Sequence, residues 1–223
     1  LVYKGYDKEA IIPQYFDEKK VTRIGEKALL NNNSLFNVTI PDTVMNIGYA
    51  SFAGCGSLTA ISIPDAVNSI GEMAFSACSS LNMIVIPFGV TCIRKSTFQS
   101  CLSLTRITLP NSVISIEDGA FFRCYALSEI AIPDSVTEIG DGAFRGCTGL
   151  TGIKIPDSVT EIGYKAFEGC TGLTTVSIPD SVTKIGSWVF KGCTGLTSVD
   201  IPDSVTVIKS SAFEGCTGLI SVN

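Results

Sequence analysis

The amino-acid sequence predicts a solenoid of short parallel β-strands, a single curved superhelical domain wound from 23-residue coils. Three observations predict it. Proline recurs at one constant interval, at Pro41, Pro64, Pro87, Pro110, Pro133, Pro156, Pro179 and Pro202. Cysteine keeps that interval from Cys55 to Cys216, and phenylalanine keeps it from Phe52 to Phe213. Leucine (Leu58 to Leu219) and valine (Val44 to Val205) form columns in phase with these. A fixed period between about 20 and 50 residues marks stacked units that share one core.

The unit reads I-P-D-S-V-T-x-I-G-x-x-A-F-x-G-C-x-x-L-T-x-I-x. Its L-x-x-I-x-I stretch, as in Leu58, Ile61 and Ile63, is the strand signal of a leucine-rich repeat, with alternate residues pointing in and out. Proline ends that strand because it has no N–H to give to a ladder. Asp-Ser then turns the chain. The aspartates Asp42, Asp65, Asp134, Asp157, Asp180 and Asp203 suit Asx turns that accept from their own following amides, with calcium between stacked carboxylates as the lesser alternative. V-T-x-I runs back as a second extended segment. A-F-x-G-C predicts a tight helical or 3-10 turn, with glycine releasing the corner. The fold class is therefore a leucine-rich-repeat solenoid, with parallel strands on one face and short extended segments and tight turns on the other. Inward Val, Ile, Ala, Phe, Cys and Leu bury little in one coil, so stability comes from neighbours.

The pattern GCxxLTxIxIPDSVTxIGxxAFxGC resembles the BspA-like class of leucine-rich repeats, found in surface-exposed proteins of bacteria and some protists. The resemblance covers nearly the whole chain. Commoner leucine-rich classes carry Asn or Cys after the strand, where this sequence has I-P-D-S, so their properties do not transfer. The resemblance implies an extracellular or cell-surface, non-enzymatic role in adhesion or protein binding. A fold alone does not carry a function.

Upstream, Val21, Ile24, Ala28, Leu29 and Leu35 continue the columns as a worn ninth unit, with Leu29 for Phe and Asn32 for Cys. Pro13 lies further before Val21 than later units allow, so the extra residues around QYFDEKK should form a loop or hairpin. Residues 1–17 are expected to cap the open core, and residues 18–223 to form the repeat domain of about nine units, the last incomplete. The sequence stops inside a unit at CTGLISVN, so the expectation is a natural chain that continues, with cover by a partner copy as the alternative.

With a net charge of −5 and pI near 4.8, the chain has no electrostatic reason to seek nucleic acid or an anionic membrane. No apolar run approaches the roughly 18 residues of a membrane span, and the start LVYKGYDKEA has no signal-peptide layout, as expected of a mature or trimmed fragment. There is no histidine, which removes Ser-His-Asp and Cys-His pairs and His/Cys zinc sets. No phosphate-loop motif occurs. No cofactor and no metal site is expected, and no enzyme. The eight in-phase cysteines stack in single file, which reads as buried free thiols acting as small hydrophobes. Cys92 lies off that column, in an outward position, and is expected to be the exposed thiol. Charges sharing columns in neighbouring coils read as surface ladders: Arg145, Glu168, Lys191 and Glu214; Glu72, Lys95 and Asp118; Arg94 with Glu117; Arg106 with Glu129. Asn32-Asn33-Ser34 and Asn37-Val38-Thr39 have the form of glycosylation acceptors.

Binding would use the outward strand positions, which make one continuous face. The last four units are nearly identical to one another, whereas the middle ones diverge. Aromatic and Arg residues anchor interfaces, so the candidate ligand-binding residues are Met83, Val85, Phe88, Arg106, Thr108, Phe122, Arg123, Tyr125 and Glu129. Neutral drift in older units explains the same divergence equally well. The expected partner is a protein of host or extracellular-matrix type. A structural spacer holding another domain away from the cell is the alternative, and the sequence leaves the oligomeric state open.

Overall fold

The computed structural model describes residues 8–222. Most coils contribute two short strands that pair in parallel with those of neighbouring coils; the Ile61 coil has only an Ala60–Met83 bridge in place of its main strand, and the Ile130 coil has none. The main strands include Glu9–Ile11, Asn37–Thr39, Met83–Val85, Arg106–Thr108, Gly152–Lys154, Thr175–Ser177 and Ser198–Asp200. In register, Glu9 faces Asn37, Met83 faces Arg106, and Gly152, Thr175 and Ser198 follow one another. The second strands run from Arg23–Ile24 to Val207–Ile208. The extra N-terminal residues form an antiparallel hairpin, Tyr15–Phe16 with Lys19–Lys20. Asp17 and Glu18 both have positive φ there, as a two-residue type I′ connection demands.

The Pro-Asp-Ser-Val turn is closed by the backbone: Val44 N–H donates to Pro41 O at 3.0 Å, and Val136, Val159 and Val182 donate to their own prolines at the same distance. The serine, not the aspartate, ties coils together. Ser135, Ser158 and Ser181 hydroxyls each donate at 2.6 Å to the valine carbonyl of the preceding coil, while the aspartate column faces solvent.

The A-F-x-G-C segment departs from the expected helical or 3-10 turn. In the Phe75 coil, Ala74, Ser76 and Cys78 donate three residues back to Gly71, Met73 and Phe75. The alternate amides of Met73, Phe75 and Ala77 donate forward to Lys95, Thr97 and Gln99 of the next coil. A helix needs consecutive local bonds, and here every second one is spent on the neighbour, so no helix forms among the described residues. The alternation places two residues per coil in the left-handed region: Met73 and Ala77 here, Gly142 and Gly146 two units after the Phe98 coil. Glycine fits both columns without steric cost, but Ser100, Arg123, Lys165 and Trp188 also occupy them.

The core is a set of files. Phenylalanine rings from Phe52 to Phe213 stack face to face, with centroids 5.2–5.6 Å apart and planes within 12°. On the surface, Arg145–Glu168 and Lys191–Glu214 pair at 2.7 and 2.8 Å, and Lys95–Asp118 at 3.8 Å. Glu168 Oε2 meets Arg145 as an ion pair out of line for a hydrogen bond. Glu117 does not pair with Arg94; it accepts from Lys95 N–H at 2.8 Å and from the Cys92 thiol at 3.1 Å.

The second ladder is interrupted twice, between Ser69–Ile70 and Cys92–Ile93 and between Glu161–Ile162 and Lys184–Ile185. Each break lies just before a coil in which the alanine of A-F is β-branched, Thr97 in one and Val189 in the other. A β-carbon placed on Gly163 would lie 2.5 Å from the preceding coil's backbone. On Gly186 it would lie 3.3 Å from Val189 Cγ2 and 3.4 Å from Ile162 O. Val189 thus stands beside Gly186 of its own coil at the point where the preceding coil lies further off. The Arg94 β-carbon does not account for the other break, because Glu117 and Lys209 occupy the same column and still donate to Ile93 O and Ile185 O at 2.8 and 2.9 Å.

Candidate ligand-binding face

Main strands alternate exposed, buried, exposed, which aims their first and third side chains at solvent and the middle one into the core. Pairing in register then sets Met83 beside Arg106 and Val85 beside Thr108. Met83 and Val85 are more than half exposed, at 51% and 59%. Arg106 Nη2 reaches Glu129 Oε1 of the next coil at 3.8 Å, both side chains in solvent. Thr105 donates to Asn82 Oδ1 at 2.7 Å, fixing the polar edge of the same strip.

Two concavities mark this face. A shallow depression of 730 Å³ is lined by Asn37, Thr39, Ala60, Ser62, Met83 and Val85 among others. It exists because the Ala60 and Ser62 side chains are small between larger neighbours. A smaller hollow of 210 Å³ lies among Asn82, Met83, Thr105, Arg106, Ser128 and Glu129. The first has an apolar wall at Met83 and Val85, and the second is bounded by the charged pair.

The structure gathers Met83, Val85, Arg106, Thr108 and Glu129 on this face. Phe88 follows in the turn after Pro87 and is 74% exposed. Phe122 and Arg123 belong to the A-F-x-G-C turn instead, where Arg123 and Arg145 lie 4.9 and 5.5 Å from the Phe122 ring. Tyr125 follows that turn, ahead of the strand position, and is partly exposed. The nine candidates therefore divide between the strand face and other parts of the coil. Asn82, Thr105 and Ser128 were not singled out from the sequence, because the position before the strand is Thr in most units and reads as pattern. The small pair Ala60 and Ser62 was visible as a dip in size along the outward column.

The cysteine column is chemically quiet. Each thiol from Cys55 to Cys216 donates at 3.1 Å to a carbonyl of the preceding coil, Cys147 to Phe121 O and Cys170 to Phe144 O for example. Burial pushes Cys101, Cys147 and Cys193 up to about 12. Cys92 is not the exposed thiol expected: it is half-buried, donates to Glu117 Oε1 and accepts from Ser115, and burial pushes it up to about 11. Among the described residues no three His, Cys, Asp or Glu side chains converge as metal ligands. No described helix is long and apolar enough to cross a membrane.

A family model described as BspA type leucine rich repeat region matches residues 9–128 and 114–223. Among solved structures, a leucine-rich repeat protein from Bacteroides ovatus is similar at 31% identity and TM-score 0.69, over 96% of this chain and 65% of that one. The chain thus spans just under two thirds of that protein's crystallised length. A T. pallidum leucine rich repeat protein matches at 26% identity and TM-score 0.57, over 98% of this chain and 81% of that one. A leucine-rich repeat protein from Eubacterium ventriosum, at 23% identity and TM-score 0.55 over 100% and 77%, shares the fold. No curated protein is similar enough to match.

Proposed function

This chain belongs to the BspA type leucine-rich repeat family, and from that premise we propose that it is a non-enzymatic binding module of a cell-surface or secreted protein. In this reading it engages a protein ligand, of host or extracellular-matrix type, through the outward main-strand face. The observation that carries it is the exposed Met83–Val85 wall beside the Arg106–Glu129 pair, with a 730 Å³ depression at its foot. Interfaces are anchored by a few apolar and Arg side chains set in such hollows, with polar groups at the rim. Phe88 extends the wall, while Phe122, Arg123 and Tyr125 offer a second contact strip for a partner wrapping the coil. In the same reading residues 8–17 belong to the N-terminal cap, whose residues 1–7 lie outside the described residues, and residues 18–222 belong to the repeat array, with the Tyr15–Lys20 hairpin at the junction.

The test is capture of purified extracellular-matrix proteins on the immobilised chain, followed by the Met83→Asp and Arg106→Ala variants. Each variant should weaken a captured partner by about tenfold or more, as loss of an interface anchor does. Unchanged affinity in both removes the strand face from the interaction. A spacer role is favoured for the C-terminal part alone, where Gly152, Thr175, Ser177 and Ser198 keep the same face small apart from Lys154 and Asp200.

A further inference from the structure

We infer that the depression on the main-strand face seats an arginine side chain of the protein ligand, held between the Asp65 carboxylate and the Phe88 ring. This rests on the strand-face reading and adds to it the chemistry of the occupant. The 730 Å³ depression is walled by Met83 and Val85, and among the described residues Asp65 is the one charged group in its lining. Asp42, one coil away in the same repeat column, is exposed as well. On the far side of Met83, Arg106 is engaged with Glu129. The turn end of the depression is therefore negative, and a cationic occupant complements it.

The next coil selects arginine among cations. Phe88 stands in the column of Asp42 and Asp65, and Gly89 follows it where most units carry serine. A β-carbon on Gly89 would lie 2.9 Å from Val67 O of the preceding coil, closer than a real side chain stands. The Phe88-Gly89 turn thus sits nearer the Asp65 turn than a serine-bearing turn could. Neighbouring coils stack about 4.8 Å apart, so a guanidinium lying on the Phe88 ring is within reach of the Asp65 carboxylate. Both groups are free to receive it. Among the described residues no Lys or Arg lies over the Phe88 ring, and the Asp65 carboxylate has no ion pair. An exposed carboxylate alone holds a cation weakly. A planar guanidinium stacks on the ring and forks the carboxylate at once, whereas an ammonium is a point charge that does only one of these well. The methylene stem then lies along Val85, and apolar neighbours of the arginine meet Met83.

The experiment is an NMR titration of the whole chain with a blocked pentapeptide, Ala-Leu-Arg-Leu-Ala, and with its citrulline counterpart, which keeps the shape and loses the charge. The arginine peptide should move the amide signals of Ser62, Asp65, Val85 and Phe88 to saturation. The citrulline peptide should bind about tenfold or more weaker, in line with lost charge-assisted hydrogen bonds. Asp65→Asn should weaken the arginine peptide by about tenfold or more, and Phe88→Ser by about threefold or more. Both changes lie in an exposed turn, so the thermal melting point should hold. Asp134→Asn, in the same column but away from the depression, should change nothing. Absence of saturable shifts at these amides, equal affinity for the citrulline peptide, or unchanged binding in Asp65→Asn each overturns the proposal. Capture of a matrix protein that Met83→Asp weakens and Asp65→Asn leaves intact overturns the arginine seat alone. Peptide binding that depends on Asp65, with no matrix protein captured, sustains the seat and overturns the matrix-ligand reading.

Discussion

A thiol in the Cys column fills a small apolar space and still gives its proton to a carbonyl, Phe121 O in the case of Cys147. That double role has a pH signature. Cys101, Cys147 and Cys193 ordinarily titrate near 9.0 and are pushed up to about 12 in the fold. Between those values the folded chain keeps protons that the unfolded chain releases, so stability falls as pH rises. Each such thiol removes about 1.4 kcal/mol per pH unit across the window and nothing below it. Urea unfolding should therefore be flat up to about pH 8 and weaken steeply by about pH 10; a flat profile through that range contradicts the burial. Ser51 makes the opposite case: its hydroxyl is buried with no hydrogen-bond partner, at a column that is alanine in most coils. Ser51→Ala should raise stability by about 1 kcal/mol in the same assay. The period exposed which side chains are inside, but not these hydrogen bonds. Cys92 was misjudged because its half-burial comes from Glu117 and Ser115 in the next coil, partners that a column position does not reveal.

Strands were easier to read than turns. Alternation of apolar and polar residues places Ile107 inward and Arg106 outward whatever the neighbours do. The A-F-x-G-C segment misleads because local turn bonds and bonds to the next coil alternate, and only coordinates show the second set. Its left-handed positions are legible where glycine stands, as at Gly142 and Gly146, and hidden where Arg123 or Trp188 does. The ladder breaks are equally hidden, since Ala to Val looks conservative in a core. Val189→Ala should let Gly186 N–H bond to Ile162 O, and hydrogen exchange at the Gly186 amide should slow by about tenfold or more, as expected for one added backbone bond of roughly 1.4 kcal/mol. Exchange that stays fast assigns the opening to some other cause.

Across the whole molecule, each coil touches only its neighbours, so stability is a sum of coil and interface terms. The interface at Ile162–Ile185 is short of ladder bonds, and beyond it Val207, Ile208 and Ile220 are exposed while Ile201, Val205 and Phe213 are only partly buried. Residues beyond that break should open first. Native-state hydrogen exchange should show amides of residues 198–222 exchanging together, at lower denaturant than those of the Phe98 to Phe144 coils. Uniform protection along the chain would mean the break carries no energetic weight.

The forward bonds from one side of every coil and the backward bonds from the other make each winding both plug and socket. Removing or copying a winding therefore leaves no unmatched edge, so slippage during replication of the near-identical tail lengthens or shortens the protein while every contact type survives. Reach becomes a trait that selection can adjust in whole steps, without redesigning a single packing contact.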